Sequence, residues 1–170
     1  MSLRGHRPAS GFTLIEVMIV MAIMAMVLAM ALPYLPRDEQ TVINEEVERL
    51  RSRLEFAQAR AILRSQDLGV KFEENAYQFL ERVDANWQAI EDRALKSTEL
   101  AGPWTQRLMI DDEELLFDIN DESEEIEPDV LLYSSGEVTA FEYELMRSEQ
   151  LRSGFKMTLL GEIESLESEN

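Results

Sequence analysis

The run GFTLIEVMIVMAIMAMVLAMALPYLP, residues 11–36, decides how the rest of the chain is read. From Val17 to Leu32 the residues are apolar without a break, and back to Phe12 only Thr13 and Glu16 interrupt them. A bilayer span needs about 20 such residues. Arg4 and Arg7 precede the run, and Arg37, Asp38 and Glu39 are the first charges after it. That asymmetry places the N-terminus in the cytoplasm and the body outside. Three readings stand at this point. One is a plain single-span anchor. The second is a cleaved secretory signal, with Ala29-Met30-Ala31 as its small-residue cleavage site. Against the second, the apolar core exceeds the usual ~7–15 residues. Also against the second, a carboxylate inside that core costs about 2.5–3.5 kcal/mol on insertion scales near the bilayer centre and less near its edge, which an ordinary signal has no reason to carry; the third reading gives Glu16 a purpose.

Composition narrows the chemistry. The chain has 170 residues, 45% hydrophobic and 29% charged, which suits one ordinary domain behind the N-terminal segment. Its net charge of −18 repels nucleic acid and anionic lipid. There is no cysteine, so disulfides, thiolate metal sites and cysteine nucleophiles are excluded. The single histidine, His6, precedes the apolar run, which leaves the body without a histidine-based triad or metal site.

With its short basic leader, the stretch resembles the class III signal of type IV pilins and type II secretion pseudopilins. The resemblance implies a leader at residues 1–11, cut between Gly11 and Phe12 by a prepilin peptidase that also N-methylates Phe12. Glu16 then becomes the fifth residue of the mature chain, the family's glutamate. Cleavage exposes an amine on Phe12, and a free α-amino group ordinarily titrates near pH ~8. In the family each glutamate is thought to pair with the amine of a neighbouring subunit. Relief of an unpaired carboxylate in lipid would reward assembly in one register. Gly11 suits a peptidase because it breaks helix and leaves no side chain in the pocket. Loss of Arg4 and Arg7 with the acid-free leader would take the charge from −18 to −20.

Pro33 and Pro36 predict a kink or melted stretch. Beyond them Ile43, Val47, Leu50, Leu54, Ala57 and Ala61 recur at spacings of three and four, an amphipathic stripe with Glu48, Arg49, Arg51, Arg53 and Glu55 off it. The stripe either faces a coiled-coil partner or, the preferred reading, lies on the chain's own sheet. From Leu68 the period becomes two. LGVKFEENAYQFLERV, 68–83, reads as a hairpin turning at Glu73-Glu74-Asn75, with Val70, Phe72, Tyr77, Phe79 and either Leu80 or Val83 in the core. Further strands are expected at Arg107–Ile110, Glu114–Phe117, Val130–Tyr133, Glu137–Glu144 and Phe155–Leu160, with Gly102-Pro103 in a loop and a turn at Ser134-Ser135-Gly136. Either Ala140 or Phe141 continues the inward face of the late strand.

The hairpin, the step LAGPWTQRLMI and the late PDVLLYSSGEVTAFEYEL resemble the H-type minor pseudopilins of type II secretion and their FimT-like relatives. The fold implied is α+β and pilin-like. A filament-core helix at 12–35 and an amphipathic half at 36–66 would lead into an antiparallel β-rich head at 67–170. The function implied is a non-enzymatic subunit near the tip of a pseudopilus that drives folded proteins through the outer membrane. Its implied partners are other minor and major pseudopilins, the prepilin peptidase and the inner-membrane platform. The protein would sit in the bacterial inner membrane with its head in the periplasm. A type IV pilus minor pilin is the alternative within the superfamily. A membrane-anchored periplasmic binding domain that never polymerises is the alternative outside it.

Other chemistries fit poorly. Asp111, Asp112, Glu113, Glu114, Asp118, Asp121 and Glu122 are dense enough to suggest calcium, but Glu122, Ser123 and Pro128 break the EF-hand pattern and a solvated acidic loop is preferred. With 34 acids, carboxylate pairs arise by chance, so a glycosidase-like dyad is not supported. Trp87 and Trp104 read as core or turn anchors. The acidic tail GEIESLESEN argues against DNA binding. No catalytic residue, metal ligand or cofactor is expected.

Overall fold

A computed structural model of the chain describes residues 13–31, 38–100, 102–117, 126–148 and 152–166, with side chains in the first helix as far as residue 28. The chain divides into two units, Met1–Arg37 and Asp38–Asn170. Among the described residues the first contains helix α1, Leu14–Ala31, and the second contains helix α2, Glu39–Arg64, and ten strands. Gly11, Phe12, Pro33 and Pro36 lie outside the described residues.

Helix α2 forms where the stripe predicts it. Ile43, Val47, Leu50, Leu54, Ala57 and Ala61 are all buried. Its buried face touches β1 (Leu68–Glu73) and β7 (Val130–Leu132) of one sheet, and β8 (Phe141–Met146) and β9 (Arg152–Met157) of the other. The stripe therefore packs on the chain's own sheets rather than on a partner helix. Small Ala57 and Ala61 permit that close approach. The helix ends because Ser65 turns left-handed, at φ 49°, and the Gln66 N–H returns to the Ala61 carbonyl at 3.1 Å.

The first sheet runs β3-β2-β1-β7, where β3 is Asn86–Ala89 and β2 is Ala76–Val83, with β4 (Thr98–Glu99) also on β2. Its hairpin pairs Glu73 with Ala76 around Glu74-Asn75, as the sequence predicts. Gly69 lies so close to Pro128 that a Cβ there would collide with the proline ring. The second sheet runs β10-β9-β8-β5-β6, with β5 at Thr105–Ile110, β6 at Glu113–Glu114 and β10 at Ile163–Ser165. Every pairing in both sheets is antiparallel. The sheets meet through aromatics. Phe72 of the first lies 5.7 Å from Tyr143 and 6.1 Å from Phe141 of the second, ring centre to ring centre. This is the expected α+β architecture, a helix on antiparallel sheets.

Several boundaries differ from those read in the sequence. The strand expected at Glu137–Glu144 begins only at Phe141. Val138 is buried by a separate bridge to Leu132, and the two-residue alternation breaks at Thr139-Ala140 before Phe141, Tyr143 and Leu145 resume it. The strand expected at Phe155–Leu160 spans Arg152–Met157, because Gly161 N–H closes a turn on the Thr158 carbonyl at 2.8 Å. The one at Glu114–Phe117 is reduced to Glu113–Glu114. Between Leu80 and Val83, Leu80 is the core residue, and between Ala140 and Phe141 it is Phe141. Trp104 joins the core, while Trp87 is half-buried under the Arg82 guanidinium, 5.9 Å away.

The strand β3, Asn86–Ala89, joins β2 through a two-residue loop, Asp84-Ala85, whose φ angles are both positive at 50° and 75°. Such a loop favours glycine at its second position. Alanine in that conformation is strained by about 1 kcal/mol. Ala85→Gly is therefore expected to stabilise the protein by roughly 0.5–1 kcal/mol, read as a higher urea midpoint at unchanged slope.

Candidate functional site

Glu16 occupies the third position of α1. Thr13 caps that helix. Its carbonyl accepts the N–H groups of Glu16 at 3.1 Å and Val17 at 3.3 Å, and its hydroxyl oxygen accepts the Glu16 N–H at 3.3 Å. Thr-Leu-Ile-Glu thus has the order of a capping box, with an acid at the positive end of the helix dipole. That order is present in the sequence, where Thr13 otherwise reads only as an interruption of the apolar run. No described residue neutralises the Glu16 carboxylate, and its side chain is exposed.

The rest of α1 has no polar face. From Leu14 to Leu28 every large apolar side chain is at least 49% exposed. A helix apolar all round belongs in lipid or among other helices. Its 18 residues extend about 27 Å at 1.5 Å per residue, against a hydrocarbon core of about 30 Å. Among the described residues no helix is long and apolar enough to cross a membrane. The expected span at 12–35 reaches into residues outside the described set at both ends.

In the second unit the arginines off the apolar stripe fasten connections onto α2. Arg53 donates to the carbonyls of Ala94 at 2.9 Å and Lys96 at 3.0 Å, to the Tyr77 hydroxyl at 3.3 Å and to Thr98 Oγ1. Arg60, 10% exposed, bridges Asp92 and Glu81. Partial desolvation raises the Asp92 carboxyl, but the Leu95 N–H, the Arg60 guanidinium and the Ala94 N–H outweigh it and hold the carboxyl below its usual range. Gln106 ties the two sheets together. Its oxygen accepts from the Tyr143 hydroxyl at 3.2 Å, and its amide donates to the Ala76 carbonyl at 3.0 Å and the Glu73 carbonyl. Burial, with smaller effects of Tyr77 and Glu46, pushes the Tyr143 phenol well above its usual range. Glu46 is a buried acid that the stripe did not include. Arg49 meets both its oxygens, at 3.0 and 3.1 Å.

The acidic run resolves in part. Asp111 and Asp112, at φ 52° and 63°, form the tight turn between β5 and β6, and Glu114 pairs with Arg107 at 3.2 Å. Asp118, Asp121 and Glu122 lie outside the described residues. Among the described residues no three acids or histidines are grouped to hold a metal.

The chain matches two family models. Residues 6–32 match the prokaryotic N-terminal methylation motif, and residues 46–159 match the type II transport protein GspH family. It is similar to type II secretion system protein H of Aeromonas hydrophila, 28% identical over 160 residues, covering 87% of this chain and 86% of the relative. It is also similar to type II secretion system protein H of Escherichia coli K12, 27% identical over 135 residues and covering 77% of each. Among solved structures, the minor pseudopilin EpsH of the Vibrio cholerae type 2 secretion system superposes with a TM-score of 0.63 at 22% identity, covering 78% of this chain and 99% of EpsH. The solution structure of Escherichia coli GspH superposes with a TM-score of 0.59 at 16% identity, covering 77% of this chain and 92% of GspH. These superpositions establish the shared fold.

Proposed function

We propose, from the premise that this chain belongs to the type II transport protein GspH family, how its two units serve secretion. It is a minor pseudopilin of a type II secretion system, a structural protein of that machinery. The observation that carries this reading is the union, in one chain, of a methylation motif over 6–32 and an H-family head over 46–159.

The finer reading builds on that union. The leader is residues 1–11, the filament-core segment 12–35, the amphipathic half of the helix 36–66 and the head 67–170. A prepilin peptidase cuts between Gly11 and Phe12 and methylates the new amine. α1 then rests in the inner membrane with the N-terminus cytoplasmic and the head periplasmic. The faceless apolarity of α1 supports this, because each side of that helix needs lipid or another helix around it. Glu16 is the register mark. In lipid it is an acid with no counter-charge among the described residues, and the amine of a neighbouring subunit satisfies it on entry to the pseudopilus. The head carries no chemistry of its own in this scheme. It joins other pseudopilins near the tip, and addition of subunits below pushes folded cargo toward the outer membrane.

The experiment is the mass and N-terminal sequence of the protein purified from its native membrane. A chain that begins at Phe12 with one added methyl is expected. A chain beginning at Leu32, or one with its leader intact, overturns the processing scheme.

A further inference from the structure

The two ends of α2 are fastened differently. At the C-terminal end the Ser65 and Gln66 N–H groups donate to the Ile62 and Ala61 carbonyls, and the Gln58 and Gln66 side-chain amides reach the carbonyls of Gly136 at 2.9 Å and Arg82 at 3.3 Å. At the N-terminal end Asp38 occupies the cap position without a side-chain cap bond. The first residue of the helix that the core covers fully is Ile43. Ahead of it Glu39 and Thr41 are exposed, and Gln40 and Val42 are half-buried.

Two polar contacts latch this first turn to the second sheet. Arg147, just past the end of β8, pairs with Glu39, and the Gln40 amide donates to the Arg152 carbonyl at the start of β9, at 3.3 Å. Glu39 is 57% exposed and Arg147 46%, so their pair is in contact with water and weak. The stretch from Ile43 to Ala61 is instead buried against both sheets. Opening of the first turn therefore costs far less than opening of the rest of the helix. The weak turn is also where the second unit begins, so a pull on α1 reaches that unit first through residues 39–42. Helical residues rise about 1.5 Å each and extended ones about 3.4 Å, so opening these four adds about 8 Å of chain ahead of Ile43.

We infer that residues 39–42 are a yielding link, latched by Glu39–Arg147 and Gln40–Arg152, that opens when α1 is pulled while the head stays folded. This rests on the membrane-embedded role proposed for α1. Amide hydrogen exchange on the full-length protein in detergent micelles reads the opening. Helix amides bond to the carbonyl four residues back, so Val42 to Glu46 are the probes. They are expected to exchange at least about tenfold faster than Leu54 to Ala61. Arg147→Ala should speed them by a further factor of about two to five, the scale of an exposed ion pair, and leave Leu54 to Ala61 unchanged. Equal protection along the whole helix overturns the inference, as does no change at the probes in Arg147→Ala. Locking the turn tests its use. The natural chain has no cysteine, so a full-length Glu39→Cys, Arg147→Cys variant carries two thiols at exposed positions, which a short bis-methanethiosulfonate bridges reversibly in secreting cells. Bridging is expected to lower secretion at least about tenfold, because the required open state is no longer reached, and reduction should restore it. Each single-cysteine variant, treated alike, is the control and should secrete normally. Normal secretion by the bridged chain overturns the inference. A methylated Phe12 and recovery of the chain in the membrane fraction test the role of α1 separately, so if both hold while the bridged chain secretes normally, only the yielding link fails.

Discussion

Replacement of Glu16 by alanine is expected to leave a chain that is made, cleaved at Gly11 and folded, yet enters the pseudopilus poorly. An unpaired carboxylate costs up to about 2.5–3.5 kcal/mol at the bilayer centre and less toward the end of the span, where Glu16 lies, and the proposed pairing with a neighbour's amine would relieve that cost. At 1.4 kcal/mol per factor of ten, losing that reward shifts the assembly equilibrium by at most about a hundredfold. The check is cross-linked incorporation and exoprotein secretion, with head stability as control. Glutamine separates two roles that alanine confounds. Thr13 caps α1 through the Glu16 N–H, and either Glu or Gln at that position completes a capping box. If Glu16 served only to start the helix, Glu16→Gln would behave like the natural chain and the cost of Ala would be about 0.3–1 kcal/mol. Pairing with an amine needs the charge, so Gln is expected to fail nearly as badly as Ala. Full secretion by Glu16→Gln would return Glu16 to the status of a helix cap.

The elements legible in the sequence are those in which one periodicity covers a whole interface. The spacing from Ile43 to Ala61 reveals α2 and its face because both sheets press on that single stripe. The hairpin at 68–83 is legible because Val70, Phe72, Tyr77 and Phe79 alternate on either side of a plain turn. Elements that bury little leave no such trace. β3 is a polar edge with only Trp87 half-covered, and β10 has Ile163 alone against the core. Their pairing comes from neighbours, β2 and β9, and makes no pattern in their own residues. Glu46 escapes notice for the opposite reason. It lies on the inward side of α2 as a charge, and only the exposed Arg49 beside it makes its burial tolerable. At the N-terminus, Glu16 stands out because it breaks a run. Thr13 does not, since its role depends on where the helix begins.

Phe72→Ala is expected to cost about 3–5 kcal/mol, as for other buried phenylalanines cut to alanine. Phe72 is 2% exposed, and its ring meets Tyr77, Phe141 and Tyr143, so it joins the two sheets that α2 covers. A domain of ordinary stability has about 5–15 kcal/mol in all, so this one substitution removes a large share. Urea unfolding should show a much lower midpoint with an unchanged slope. Phe56→Ala is the matched control. Phe56 is 50% exposed on the outer side of α2, and its loss should stay within about 0.5 kcal/mol. A similar midpoint for both variants would mean that the sheets do not meet through Phe72. The same pair also separates the two ways of losing secretion. A head weakened at Phe72 spends more time unfolded and is removed by proteases, so secretion falls together with protein level. Under the proposed pairing, a chain altered at Glu16 is expected to keep its head and its level and to lose secretion because the subunit no longer finds its register.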